Sequence, residues 1–128
     1  MKLSECSGRT LAFLGDAAWS LTVRRKLIES GNGKGSVLQK KTIRYVSANA
    51  QASFYDALHA KGFFTEEEEE IFRRGRNDNA GTVPKSASVA DYRKATGFEA
   101  VIGMLELTNN RNRSETIWEQ VNETGEAA

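Results

Sequence analysis

Apolar residues recur at three- and four-residue spacing along most of this chain, and strict apolar–polar alternation is scarce, so helices dominate. The pattern predicts a first helix over 10–29, with Ser7 or Thr10 near its cap and Gly31 as its stop. The GNGKG stretch at 31–35 reads as a flexible turn. A second helix is predicted over 36–44 and a third over 47–61, with Gly62 at its C-terminal end. Thr65 and Glu68 have the form of a capping box. The acidic run 66–70 then falls in the first turns of a fourth helix, where carboxylates favour the helix dipole, so the run needs no functional explanation. That helix is expected to reach Arg74 and stop at Gly75. A loop rich in turn formers follows over 76–88, and its basic entry makes it a plausible functional loop. A fifth helix is predicted over 88–107. A last, amphipathic helix over 113–122 uses Ile117, Trp118 and Val121, and the TGEAA tail is expected to fray.

Two of these helices contain a charge in the wrong place. Residues 10–23 carry one charged side chain, Asp16, and residues 95–105 carry one, Glu99. The first segment is apolar almost all round at helical pitch, which predicts burial in the middle of the domain. Gly15 and Gly103 are poor helix formers and suit a close approach of two such helices. A carboxylate there costs several kcal/mol, to an order of magnitude, unless it is paired, coordinated or protonated. One reading is a buried salt bridge, for instance to Arg93 or Lys94. The other is a shared cleft in which both acids hold a hard divalent cation such as Mg²⁺. A bound Mg²⁺ activates water and stabilises charge on a phosphodiester.

Composition narrows the field. The 128 residues fit one domain, core about 8–122, with one hydrophobic core. No apolar run is long enough to span a membrane. The first ten residues lack the apolar core of a secretory signal, so a reduced, cytoplasmic setting is expected. Cys6 is the only cysteine and His59 the only histidine, which argues against a disulfide framework, a zinc site and a Ser-His-Asp triad. Net charge is only +1, but charge is segregated along the chain. Residues 24–45 carry seven Lys or Arg against Glu29, and residues 73–94 carry six against Asp78 and Asp91. A basic face for nucleic acid is compatible with that distribution, as is ordinary scatter on solvated helices.

At the two acidic helices the chain resembles a known family. LAFLGDAAW at 11–19 is similar to the signature helix of ribonuclease III, and FEAVIGMLEL at 98–107 to that family's second acidic helix. YVSANAQA (45–52), GFFTEEEEEIFRRGRN (62–77) and GTVPK (81–85) resemble its Mini-III branch specifically. The resemblance covers about residues 11–122 in one colinear order. It implies an all-α ribonuclease III catalytic (endonuclease) domain without an appended double-stranded-RNA-binding domain. It implies a homodimer with one Mg²⁺-dependent site per subunit, cutting both strands of duplex RNA and associated with maturation of the large (23S) ribosomal RNA precursor.

Carried over by position, Asp16 matches the family aspartate and Glu99 the family glutamate, so both are candidate catalytic residues and metal ligands. Ala12 and Thr96 stand where full-length ribonuclease III has two further acids, and the Mini-III branch shares both losses. The implied reaction is hydrolysis that leaves 5′-phosphate ends. Lys40, Lys41, Arg44, Arg73, Arg74, Arg76, Asn77, Thr82 and Lys85 are candidate RNA contacts, since arginine forks and lysine point charges suit phosphates. Each also reads as a solvated surface residue. The family places Phe13 at the dimer seam; ordinary core packing is the other reading. Two further classes remain open. One is a non-catalytic ribonuclease-III-like RNA-binding or ribosome-assembly factor. The other is a helical protein-interaction or DNA-binding module, for which no recognition-helix motif stands out.

Overall fold

A computed structural model describes residues 2–31, 33–78, 83, 85 and 87–127, the last three by backbone alone. After a 3-10 turn (Leu3–Glu5) come six helices: α1 (Gly8–Glu29), α2 (Gly35–Val46), α3 (Ala48–Ala60), α4 (Glu66–Asn77), α5 (Val89–Leu107) and α6 (Arg111–Ala127). No strand occurs among the described residues.

The helix starts follow side-chain chemistry. Ser7 accepts from the Thr10 amide at 3.0 Å, Ser47 from Ala50 at 3.2 Å and Ser88 from Asp91 at 3.1 Å. The capping box forms: Thr65 accepts from the Glu68 amide at 3.1 Å, and the Glu68 carboxylate accepts from the Thr65 amide at 3.0 Å. Each satisfies a donor that a helix N-terminus leaves orphaned. Gly62 (φ 67°) closes α3, with Phe63 N–H donating to the Leu58 carbonyl and Gly62 N–H to that of His59. That is a Schellman stop, and it needs the left-handed conformation glycine adopts at no steric cost.

Two helix ends differ from expectation. α4 does not stop at Gly75 but continues to Asn77. Gly75 is a contact residue: a Cβ there would lie 2.7 Å from the Ala100 side chain and 2.9 Å from the Gly97 backbone. Its missing side chain brings α4 against α5 and does not end the helix. α6 begins at Arg111, and the tail expected to fray is helical through Ala127. The Thr124 hydroxyl donates back to the Gln120 carbonyl at 3.2 Å.

α5 is the central helix. It packs against α1, α3, α4 and α6, and Ala100 to Leu105 are all buried. The near-complete apolarity of its 95–105 stretch is therefore what that position demands. α1 and α5 cross at two glycines. A Cβ on Gly15 would lie 1.7 Å from the Glu99 carbonyl oxygen, and one on Gly103 would lie 1.8 Å from that of Leu11. Backbone touches backbone on both sides of the crossing. Around it, Trp19 stands edge-on to Phe98 at 5.0 Å and lies 5.9 Å from Trp118, while its Nε1 donates to the Tyr45 carbonyl at 2.8 Å. Tyr55 stacks on Phe72 at 3.5 Å and joins α3 to α4.

Expected full burial of α1 is not observed. Leu11, Trp19, Val23 and Leu27 face the core, but Phe13 is 83% exposed, Leu21 60% and Ile28 61%, and Asp16 and Ala17 are exposed beside them. α1 lies at the edge of the bundle: it packs mainly on α2, α4 and α5 and meets α6 through Trp19–Trp118 and Lys26–Glu115, while its Phe13, Ala17 and Leu21 side faces solvent. An apolar stripe therefore remains on the surface of a single chain.

The glycine crossing yields a stability test. Gly15→Ala should destabilise the chain by the upper end of about 1–3 kcal/mol or more, because the methyl group meets a carbonyl that cannot rotate away. Ser53→Ala on α3, at an exposed position, should stay within about 0.5 kcal/mol. Chemical denaturation of both variants checks this.

Candidate active site

The crossing that excludes a Cβ at Gly15 also sets the next residue on α1, Asp16, against Glu99 on α5. Asp16 is exposed and Glu99 half-buried, so the pair sits at the rim of the core and opens to solvent. The expectation of two fully buried acids is corrected for Asp16, because α1 shows this side to water.

Burial first, then the charge and hydrogen bond of Asp16, push the Glu99 carboxyl up to about 8; a hydrogen bond from Gln51 partly opposes them. Two acids this close cannot both ionise cheaply. No cation is among the groups acting on Glu99. Lys94, one proposed salt-bridge partner, binds Asp56 instead, at 3.0 Å. Ala12 and Thr96, at the positions of the two further family acids, are buried and bring no carboxylate, and the Thr96 hydroxyl donates to the Tyr92 carbonyl of its own helix at 3.0 Å. Among the described residues no cluster of three or more His, Cys, Asp or Glu side chains could hold a metal. Asp16 and Glu99 offer oxygen donors, and burial beside Asp16 destabilises Glu99 as an anion. That donor set fits one hard divalent cation with most of its water shell retained.

Gln51 is the site residue that sequence reasoning missed. It lies on α3, 1% exposed, and its Nε2 donates to Glu99 Oε2 at 3.4 Å and to the Val46 carbonyl at 3.3 Å. Its signal was present: position 51 falls on the buried stripe of α3 with Phe54, Tyr55 and Leu58, where an apolar residue is the rule.

The candidate RNA contacts fall in two groups. On α2, Lys40 and Arg44 are exposed and Lys41 half-buried. On α4, Arg73 is exposed and donates through one guanidinium nitrogen to Glu70 at 3.0 Å. Arg74 is half-buried and donates to the Cys6 carbonyl at 3.3 Å, which pins the N-terminal segment. Arg76 lies 5.7 Å over the Phe72 ring, with its Nε on the side chain of exposed Asn77 at 3.1 Å. Lys85 is exposed, and Thr82 lies outside the described residues. α2 packs on α1 and α3, and α4 on α1 and α5, so the two groups flank α1 on different neighbours.

Two glutamates of the acidic run at the start of α4, Glu68 and Glu69, are structural. Glu68, 3% exposed, takes a two-pronged bond from Arg113 at 2.7 Å on each oxygen. Burial raises its carboxyl, but Arg113 and the Thr65 amide outweigh that and hold it below the usual range. Glu69 is bound by Tyr55 at 2.6 Å and by His59, so the chain's only histidine is engaged there.

Comparison with known proteins agrees with this geometry. A family model described as the ribonuclease III domain matches residues 9–110. The chain belongs to the ribonuclease III family. It is an endoribonuclease of that type. A Mini-ribonuclease 3 from Streptococcus pneumoniae is 46% identical over 111 residues, 87% of each chain. One from Enterococcus faecalis is 42% identical over 126 residues, 95% of this chain and 96% of that one. A Fusobacterium nucleatum protein of known crystal structure superimposes with a TM-score of 0.84 at 33% identity, covering 93% of this chain and 95% of that one. The Mini-III resemblance read from the sequence is thus upheld by relatives along nearly the whole chain, and the all-α fold by the family and the structural neighbour.

The raised Glu99 carboxyl makes a signed prediction. Between the ordinary carboxylate range and about 8, folded Glu99 keeps its proton while the unfolded chain has released it. Its contribution to stability therefore falls as pH rises through that window and levels off above it. Metal-free melts from pH 5 to 9 should show wild type losing stability relative to Glu99→Gln as pH rises. Excess Mg²⁺ should reduce that difference.

Proposed function

We propose that this chain cuts double-stranded RNA at the Asp16–Glu99 site with Mg²⁺, as a homodimer in the cytoplasm. One observation carries the reading: two carboxylates share a hydrogen bond at the rim of the core, and among the described residues no cation acts on Glu99. Asp16, exposed, faces incoming substrate, and Glu99, half-buried, supplies a second oxygen from the fixed backbone of α5. Mg²⁺ bound by them supplies Lewis-acid stabilisation of the phosphodiester and acidifies water. Hydrolysis then gives 5′-phosphate and 3′-hydroxyl ends.

Duplex RNA is held mainly through its phosphates and 2′-hydroxyls, so exposed cations matter more than base contacts. Lys40, Lys41 and Arg44 on α2, with Arg73, Arg76, Asn77, Thr82 and Lys85, are proposed to make those contacts. Arg74 adds its charge while also holding the Cys6 carbonyl. The proposed natural substrate is a stem of the large (23S) ribosomal RNA precursor, in keeping with the relatives named Mini-ribonuclease 3. Accumulation of unprocessed precursor ends in cells lacking the protein is the expected sign. No described helix is long and apolar enough to cross a membrane.

The dimer reading rests on α1. Phe13, Ala17, Leu21 and Ile28 form an exposed stripe at helical spacing, and it continues into a groove between α1 and α2 lined by Leu38, Ile43 and Val46. A second copy would bury the stripe about a two-fold axis and place two single sites opposite the two strands of one duplex.

Two outcomes are expected. Asp16→Asn and Glu99→Gln should each abolish cleavage of duplex RNA and leave its binding intact; replacing Arg44, Arg73 and Arg76 with alanine should weaken binding and flatten its salt dependence. Retained cleavage by both acid variants would place the catalytic site elsewhere on the chain, whereas a wild-type chain that binds duplex RNA with Mg²⁺ and leaves it uncut would favour the alternative reading, a non-catalytic RNA-binding factor. For the dimer, Phe13→Asp should shift sedimentation at micromolar concentration from dimer to monomer, and double-strand cuts should become single-strand nicks.

A further inference from the structure

Gln51 carries a cost that its own contacts do not explain. It is 1% exposed, and its Oε1 is the one buried side-chain atom without a hydrogen-bond partner among the described residues. Leaving a buried acceptor unpaired costs about 1–3 kcal/mol, whereas an apolar side chain of the same shape is close to neutral. Phe54, Tyr55 and Leu58 show that this face of α3 otherwise accepts large apolar or aromatic groups. Packing therefore gives no reason for an amide here.

Hydrogen bonding gives the reason. Nε2 lies between two oxygens, the Val46 carbonyl at 3.3 Å and Glu99 Oε2 at 3.4 Å. Turning the amide over would set Oε1 against both of them, oxygen to oxygen, so the orientation is fixed by its neighbours. Val46 is the last residue of α2 and Gln51 lies in the first turns of α3, so the amide is anchored to the turn between those helices. From there it reaches across to α5.

We propose that Gln51 is a positioning residue for Glu99: its Nε2 fixes one carboxylate oxygen, Oε2, and thereby turns the other, Oε1, toward Asp16 and the metal. This rests on the metal-dependent reading of the Asp16–Glu99 pair. The isolated pair has only two carboxylates, so each loses affinity steeply if its rotamer is free. A neutral donor aligns Glu99 without neutralising it, which a lysine or arginine at position 51 would do. The unpaired Oε1 of Gln51 is the penalty accepted for that alignment. Partners of this kind, one bond removed from a metal, change metal affinity by about 10–100-fold when deleted.

The test uses Gln51→Met, which keeps length and volume and removes both polar atoms. Three measurements are made on the full chain: thermal stability in EDTA, the rise in melting temperature on titration with Mg²⁺ in the absence of RNA, and the Mg²⁺ concentration that half-saturates cleavage. The variant should melt at or above wild type in EDTA. Its Mg²⁺ titration midpoint and its half-saturating Mg²⁺ for cleavage should both move up by about 10-fold or more. Gln51→Glu, which brings a third carboxylate in place of the donor, should melt below wild type in EDTA and recover more than wild type does on adding Mg²⁺. Unchanged Mg²⁺ dependence in Gln51→Met overturns the proposal whatever its stability. So does a Gln51→Met chain that no longer folds, because the amide would then be a structural necessity. Asp16→Asn, run alongside, separates the two levels: if it still cuts RNA, the metal site itself has been misplaced, whereas if it is dead and Gln51→Met is normal, only the role given to Gln51 fails.

Discussion

The contact between α1 and α5 at Gly15 and Gly103 governs the rest of the molecule. Helices whose side chains mesh stand about 8–10 Å apart. Here a Cβ on either glycine would overlap a carbonyl of the opposite helix, so the two axes approach more closely than side chains would allow. Asp16 and Glu99 flank that point, and their separation is set by main chain. The aromatic groups around it, Trp19, Phe98 and Trp118, fill the wedge as the two helices diverge.

That contact also explains the electrostatics. Among the described residues no cation acts on Glu99, and nearby Lys94 turns outward to Asp56. Elsewhere the chain gives buried and half-buried carboxylates internal partners. Glu68 has Arg113 and the Thr65 amide, and Glu69 has Tyr55 and His59. The pair at the crossing is treated differently from its own neighbours, and that contrast sets the site apart from the structural acids more clearly than burial does.

Much of this was legible in advance, for identifiable reasons. Caps are local, so Ser7, Ser47, Ser88 and the Thr65–Glu68 box could be read from short spacings. Asp16 and Glu99 stood out because each is the only charge in an apolar stretch of its helix, 10–23 and 95–105. Helix stops were less legible: Gly75 has the sequence signature of a stop, and only the approach of Gly97 and Ala100 on α5 shows that its small size serves packing. The burial of α1 was misjudged because an all-apolar helix looks the same in sequence whether one chain covers it or leaves a stripe open. Gln51 was passed over because a single amide on an apolar stripe is a weak signal until the residue opposite is known to be Glu99. Arg74 looked like its neighbours Arg73 and Arg76, yet it holds the Cys6 carbonyl, a partner 68 residues away.

The placement of the two indoles has an optical consequence. The chain has only two tryptophans, Trp19 and Trp118, and they are 1% and 7% exposed, 5.9 Å apart, on α1 and α6. Native emission therefore comes from apolar surroundings, and at that separation the two chromophores exchange excitation and behave as one source. Trp19 lies three residues beyond Asp16 on the same helix, while Trp118 belongs to the helix that closes the far side of the core. Unfastening α6 alone would wet one indole and decouple it from the other. Intrinsic fluorescence thus reads the integrity of the scaffold behind the two carboxylates, with no label added.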